Sequence, residues 1–256
     1  MRDKIKNELY FHNYLKQSYN RLSIRYDKLL NGQIKPEREK IVKKDMALSY
    51  KNILIAKYSL GVDMFTEEIQ VEYKKMITLL SENWEENYGK LVVFSKGVTV
   101  YLDQYTFSNY VDMIEIISLG ILIGAPIEDF ILLSNIIDQD KIKDFLMEYL
   151  LRYKIKDRFE ITTENDEEYF RINERFSRLK GVINHEDKNI AKIELKLFLE
   201  NDWEKAFSDS PLFKAHLSPY DIYVGYWCFM SAAIVKVKGL DDNEFRNNRY
   251  YPNDLI

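Results

Sequence analysis

The chain begins with two long stretches in which apolar residues recur every three or four positions. Within residues 3–30 and again within residues 37–60, this spacing places the apolar side chains on one face of a helix. Gly32 and Gly61 follow the two stretches, and glycine commonly ends a helix. The sequence therefore predicts two long helices joined by a short turn.

The same period continues along the chain and predicts a mainly helical protein. Residues 91–101 are the exception, because β-branched and aromatic residues flank a Ser-Lys-Gly turn and predict a small β-hairpin. Short connections favour antiparallel packing. We expect an all-α fold, mainly an antiparallel helical bundle or array, in two halves covering residues 1–124 and 125–256. The further helices are predicted after Thr66 and at about 105–123, 127–137, 140–154, 166–180, 188–200 and 220–238.

Composition narrows the class of protein. Hydrophobic residues make up 46% of the chain and suffice for a core, while the net charge of -4 argues against a general nucleic-acid binder, which carries a basic face. The N-terminal residues lack the apolar segment of a signal peptide, and the apolar run at 116–127 is too short to cross a bilayer. Cys228 has no second cysteine to pair with. We expect a cytoplasmic protein that contacts neither membrane nor nucleic acid directly.

Two short motifs could hold a metal ion. Glu194 and Lys196 form an acidic-x-Lys pair like that of metal-dependent nucleases, with Asp187 as a further carboxylate. The charged residues around them favour a helix surface instead. Asp241 and Glu244 could belong to a metal loop, but their spacing matches a capping box at the start of a short helix. The helix-surface and capping interpretations require no cation.

Acidic residues are densest at residues 163–168, and two more aspartates lie at a predicted helix break. The cluster suits the positive end of a helix dipole and could simply be solvated. Alternatively, these residues form a docking surface for a basic protein, because complementary charge steers association. The candidate partner-binding residues are Asp138, Asp140, Glu164, Asp166, Glu167 and Glu168.

The strip from Tyr223 to Leu255, "YVGYWCFMSAAIVKVKGLDDNEFRNNRYYPNDL", resembles the C-terminal signature of the PoNi immunity proteins. The opening "MRDKIKNELYF", then "ILIAKYSLG", "DMIEIISLGILIG" and "FLENDWEKAFSDSPLFKAHLSPYDIYVGYW", resemble family segments in the same order. The resemblance therefore covers nearly the whole chain. The signature residues expected to be structural are Tyr58, Gly61, Gly225, Tyr226, Trp227, Asp241, Asp242, Tyr250, Tyr251, Pro252 and Asp254.

The resemblance implies an all-α antitoxin that binds and neutralises a PoNe-type DNase toxin delivered by a bacterial secretion system. It implies a protein partner, no enzymatic activity and no cofactor. The residues alone leave two other hypotheses open, a metal-dependent nuclease that uses Glu194 and Lys196, and a helical scaffold or regulator outside toxin biology.

Met230 departs from the family pattern, which has glutamate at this position. Its neighbours Tyr226, Trp227, Ala233 and Ile234 are apolar and lie at helical spacings, so we expect Met230 to face inward. A glutamate there would need a buried partner, whereas methionine fills irregular space without one. We therefore expect any polar network around that carboxylate to be absent or rewired in this chain.

Overall fold

A computed structural model describes residues 1–158, 174–208, 210 and 212–256. Within these residues the protein is helical apart from loops and one small hairpin, so the predicted fold class is confirmed. The hairpin consists of β1 (Lys90–Ser95) and β2 (Val98–Tyr105). The α-helices of the described residues are α1 (Glu8–Leu30), α2 (Pro36–Leu60), α3 (Glu67–Asn83), α4 (Phe107–Ile123), α5 (Ile127–Gln139), α6 (Phe145–Lys154), α7 (Ser177–Asn184), α8 (Lys188–Leu197) and α9 (Phe229–Lys238).

The chain forms two compact units. Unit 1 comprises Met1–Glu85 and Lys214–Tyr226, and unit 2 comprises Glu86–Phe213 and Trp227–Ile256. Each unit therefore combines segments that are far apart in the sequence. The division of the chain near residue 125 stays a prediction.

Unit 1 is built on α1, α2 and α3, with α2 packed against both of the others. Pro36 occupies the first turn of α2, where its missing N–H leaves no hydrogen bond unmade. Gly61 ends the helix in the left-handed conformation with φ 102°. A Cβ at Gly61 would lie 2.9 Å from the backbone nitrogen of Met1, so the close approach of the N-terminal segment also requires glycine.

The N-terminal segment is fastened to the end of α2. The Arg2 guanidinium donates to the carbonyls of Tyr58 and Val62 at 2.9 and 2.7 Å and lies over the Tyr58 ring. Tyr58 thus holds the N-terminal segment through its carbonyl and its ring, and Gly61 allows the close approach of that segment's backbone. The structural role expected for both residues stays a prediction.

Unit 2 is organised around α4, which is buried along most of its length and packs mainly against α9. Beside it, the fully buried Phe176 stacks with Phe107 and Tyr110 and contacts Phe198 and Trp203 at centroid distances of 6.2 and 6.4 Å. This aromatic cluster joins the start of α4 to the segment before α7 and to the segment after α8.

The hairpin pairs β1 antiparallel to β2, with Val92 opposite Tyr101 and Ser95 opposite Val98. Lys96 and Gly97 form the turn with positive φ angles of 50° and 79°. The register shifts between Lys90 and Val92, which marks a bulge near the base. The hairpin is longer than the predicted residues 91–101 at both ends.

The last long helix begins at Phe229, so the prediction of a helix from residue 220 was wrong. Residues 220–228 are non-helical, and Gly225 has a φ of 130°. Long-range contacts fix this path, because the Tyr223 hydroxyl donates to the Asp3 carboxylate at 2.5 Å and the Cys228 N–H donates to the Tyr250 carbonyl at 2.7 Å. The helical spacing of the apolar residues there therefore does not decide the structure of this segment.

Residues 240–242 are irregular and residues 243–247 form turns, so no helix starts at Asp241 and the predicted capping box was wrong. The Asp241 carboxylate accepts from the Asn243 N–H at 3.4 Å, and Glu244 lies 3.4 Å from the Lys192 ammonium rather than at the Asp241 backbone. The C-terminal helices also start or end differently from expectation. Helix α6 begins at Phe145 rather than 140, α7 covers Ser177–Asn184, and α8 ends at Leu197, where a π-helical turn at Phe198–Asp202 follows.

Candidate functional site

Asp140 holds the base of the hairpin. It is 1% exposed, and its carboxylate accepts from the Asn87 N–H at 2.7 Å and from the Tyr105 hydroxyl at 2.9 Å. The buried Lys90 ammonium donates to the Asp140 carbonyl at 2.7 Å and to Asp103 at 2.9 Å. Burial raises the pKa of Tyr105, and the Asp140 carboxylate raises it further, so the phenol keeps its proton. We call these five residues the hairpin lock.

Asp138 lies two residues before Asp140, in the last turn of α5, and has another partner. Its carboxylate accepts from both terminal nitrogens of Arg158, at 2.8 and 3.1 Å, while the guanidinium Nε donates to Glu148 at 2.7 Å. The Asp138 side chain is 57% exposed, and that of Glu148 is 7% exposed. Asp138 is therefore accessible to a partner, and Arg158 balances part of its charge.

The sequence placed Asp138 and Asp140 in one acidic surface. The structure separates their environments, because only Asp138 reaches solvent. Glu164, Asp166, Glu167 and Glu168 lie outside the described residues. The signal that could have revealed the hairpin lock is weak, since its members come from three separate segments of the chain, at residues 87–90, 103–105 and 140.

The N-terminal part of the signature strip packs within unit 1. The Tyr223 hydroxyl donates to the buried Asp3, and burial raises the pKa of Tyr223, with Asp3 raising it further. The Tyr226 hydroxyl lies 2.8 Å from His216 Nδ1. The Ser59 hydroxyl donates to the Val224 carbonyl at 2.5 Å. These contacts fasten the segment around Gly225.

The remainder of the strip packs within unit 2. Trp227, Tyr250, Tyr251 and Pro252 are buried, whereas Asp241 and Asp254 are exposed. The buried Asp242 receives two hydrogen bonds from Arg246, at 2.8 and 3.0 Å. Burial raises the pKa of the Cys228 thiol to about 12, so this cysteine stays protonated.

Glu194 and Lys196 lie on α8 rather than on a strand. The Glu194 carboxylate pairs with Arg178 at 2.7 Å, and Arg178 also pairs with Asp202 at 2.5 Å. Asp187 caps the start of α8 by accepting from the Asn189 N–H at 2.8 Å. Across the described residues, no group of three or more metal-ligating side chains is gathered. The geometry therefore favours the helix-surface interpretation over the nuclease pair.

An open groove of about 640 Å³ lies beside this ion pair. Arg178, Glu194 and Asp202 line it together with Arg175, His185 and Lys205. Arg175 is already engaged, since it donates to the Ala206 carbonyl at 2.7 Å and lies over the Phe107 ring. The groove thus carries both positive and negative side chains. Three of them, Arg178, Glu194 and Asp202, are paired with one another.

Asp144 is a buried carboxyl at the start of α6. It accepts from the Met147 N–H at 2.8 Å and lies 3.4 Å from the Tyr110 hydroxyl. Burial raises the pKa of Asp144 to about 7, although the backbone N–H groups of Met147 and Leu146 oppose the rise. The folded protein therefore holds a proton on Asp144 that the unfolded chain, with a pKa near 3.9, releases between about pH 4 and 7.

Asp144→Asn is expected to make the protein more stable near neutral pH. The amide keeps the cap but does not titrate. Since the pKa of Asp144 is higher in the folded state, stability falls as pH rises, and wild type should lose about 3 kcal/mol relative to the variant between pH 4 and 7. Urea unfolding at both pH values measures this. A constant difference between the two proteins would contradict the assignment.

Within the described ranges, no helix is long and apolar enough to cross a membrane. The architecture is that of a helical protein whose polar clusters fasten its own elements. Two family models match the chain. The N-terminal model of the PoNe immunity protein (PoNi) matches residues 2–133, and the C-terminal model of the PoNe immunity proteins matches residues 142–255.

The chain therefore belongs to the PoNe immunity protein family, as the resemblance implied. Among curated proteins and among solved structures, nothing matches the chain. The family assignment thus rests on the two models, which together cover nearly the whole sequence.

Proposed function

We propose that this protein binds a PoNe-type DNase toxin and neutralises it, protecting the cell that produces both. The observation that supports this most is the match of both halves to the immunity protein family. The protein acts by binding rather than by catalysis, requires no cofactor, and works in the cytoplasm, where an incoming DNase meets its substrate.

Charge supports the same proposal. A DNase needs a basic cleft, because phosphate contacts dominate its affinity for DNA. The net charge of -4 favours association with such a surface, and complementary fields accelerate encounter. Asp138 and the group Glu164, Asp166, Glu167 and Glu168 are proposed contacts. The buried Asp140 would contribute by holding the hairpin, not by touching the toxin.

The direct test uses the toxin encoded beside this gene. Cells that produce its nuclease domain should stop growing, and co-production of the protein should restore growth to that of cells with a catalytically inactive toxin. The inactive toxin should co-purify with the protein, and salt should slow their association. A nuclease domain from an unrelated toxin serves as the control. Absence of both rescue and complex would refute the proposed pairing.

A further inference from the structure

The end of the hairpin that lies away from the hairpin lock exposes apolar side chains on both faces. Successive side chains of a strand point to opposite faces, and the register gives three large apolar residues to each face. Their exposed fractions run from 41% at Val92 to 82% at Phe94. The first face carries Val92, Phe94 and Tyr101, and the second carries Val93, Val98 and Val100. We call these six residues the hairpin patch.

The hairpin patch is comparable in area to the largest apolar patch of a typical soluble monomer. From the exposed fractions and the sizes of the side chains, it presents roughly 500 Å² of surface. The largest apolar patch on a typical monomer is about 300–600 Å², and a patch of this size often marks an interaction site. The hairpin patch also differs from scattered exposed residues, because its members are neighbours in one register.

The edges of the hairpin lack the usual protection against pairing. Among the described residues the sheet has two strands, so each strand has an edge with no strand beside it. Between Leu91 and Leu102 the sequence has no proline, and Lys96 in the turn is the one charged residue. Natural proteins commonly place charges or proline on such edges.

The hairpin lock supplies the rigidity that an isolated hairpin lacks. A two-stranded hairpin is marginal in water on its own. Here Lys90 and Tyr105, the paired residues at the base, are both buried and bonded to Asp140. The exposed end is therefore presented in a fixed conformation, and prior ordering reduces the entropy lost on binding.

We propose that the hairpin patch is the anchor by which this protein docks its toxin, and that it inserts into a cleft of the nuclease domain which contacts both faces. This inference rests on the proposed function. The area of the hairpin patch favours the toxin as its partner over a second copy of the chain. A standard heteromeric interface buries about 800 Å² per partner, a little over half of it apolar, whereas permanent homodimers bury about 1,000 Å² or more per partner and are more apolar.

Insertion into a cleft, rather than flat docking, follows from the two exposed faces. A partner that lay flat would cover one face and leave the other three apolar side chains in water. A cleft would cover both, and it would also leave room for strand pairing along an edge.

The test measures affinity for the catalytically inactive nuclease domain by calorimetry. Phe94→Ser on the first face and the pair Val98→Thr/Val100→Thr on the second should each weaken binding at least about 30-fold, the loss that defines an anchor residue. Phe65→Ser is the matched control, because Phe65 is an exposed phenylalanine of unit 1, and it should change the dissociation constant less than about twofold.

The outcomes separate the two proposals. If wild type neither binds nor protects, the proposed function fails. If wild type binds and the variants of either face bind equally well, the hairpin anchor is refuted while the function stands. Light scattering of wild type and Phe94→Ser gives the molar mass, and a wild-type dimer that Phe94→Ser dissociates would assign the patch to a second copy instead. Circular dichroism should show the same helical content in every variant.

Discussion

Lys57→Met is expected to lower the free energy of unfolding by about 3–5 kcal/mol, because it leaves a buried carboxylate without its cation. Lys57 on α2 is 5% exposed, and its ammonium donates to the Glu72 carboxylate of α3 at 2.9 Å. Glu72 is 7% exposed and also accepts from the Tyr19 hydroxyl of α1. The network thus joins the three helices of unit 1.

The charge left behind, rather than the lost ion pair, accounts for this expected effect. Removing both charges should be much milder, since replacing a buried pair with apolar residues is often neutral. We therefore expect Lys57→Met/Glu72→Met to recover most of the loss. Tyr19 is 37% exposed, so its hydroxyl can turn to water in the double variant.

Urea unfolding of the single and double variants measures the effect. Glu68→Ala is the matched control. Glu68 also accepts from Lys57, but its side chain is 72% exposed, and exposed pairs are worth at most about 1 kcal/mol. A double variant as unstable as Lys57→Met would show that the network contributes through its packing and not through the balance of charge.

The sequence predicted an element correctly where the pattern of residues within one segment decides its structure. The apolar stripes of α1 and α2 and the hairpin are such cases, because period and turn residues are local signals. The buried Lys57 was not predicted, since a lysine in a helical pattern is normally solvated. Its burial depends on Glu72 and Tyr19, which belong to two other helices.

Tertiary contacts account for the elements that the sequence misplaced. The segment before α9 has helical spacing, yet it is non-helical, and its Tyr223 bonds to a residue 220 positions away. Asp140 was expected on the surface, but its partners Asn87 and Tyr105 lie 53 and 35 residues away. Nothing in the sequence around either residue encodes these partners. The β-branched and aromatic residues of the hairpin were visible in the sequence, but only the structure shows that both faces reach solvent.

Met230→Glu is expected to destabilise the protein by about 5 kcal/mol at pH 8. Met230 is 0% exposed on α9, and a glutamate fully buried among apolar groups has a pKa of about 8–9 in place of 4.3. Because the pKa is raised in the folded state, the unfolded chain releases its proton first and stability falls as pH rises. The Met230→Glu and Met230→Gln variants should be similarly stable near pH 4 and should diverge towards pH 8, and Met230→Leu should cost less than about 1.5 kcal/mol.

Ser118 is the polar group that could hydrogen-bond to a glutamate at position 230. It lies on α4, which packs against α9, and its hydroxyl is buried with no hydrogen-bond partner among the described residues. The Lys236 ammonium of α9 donates to the Leu122 carbonyl of α4 at 3.0 Å. Ser118 lies one turn before Leu122, and Met230 lies in the first turn of α9. We expect the Ser118 hydroxyl to reach a carboxylate at position 230.

Ser118→Ala should therefore have opposite effects in wild type and in the Met230→Glu variant. In wild type it should be neutral or stabilising, because it removes a hydroxyl that has no partner there. In the Met230→Glu variant it should cost a further ~0.5–1.5 kcal/mol, the net worth of a typical hydrogen bond, because the buried glutamate keeps its proton below its raised pKa. Equal effects of Ser118→Ala in both backgrounds would show that the hydroxyl does not reach position 230. A sign change would instead show that the Ser118 hydroxyl reaches position 230 and bonds to a carboxyl group placed there.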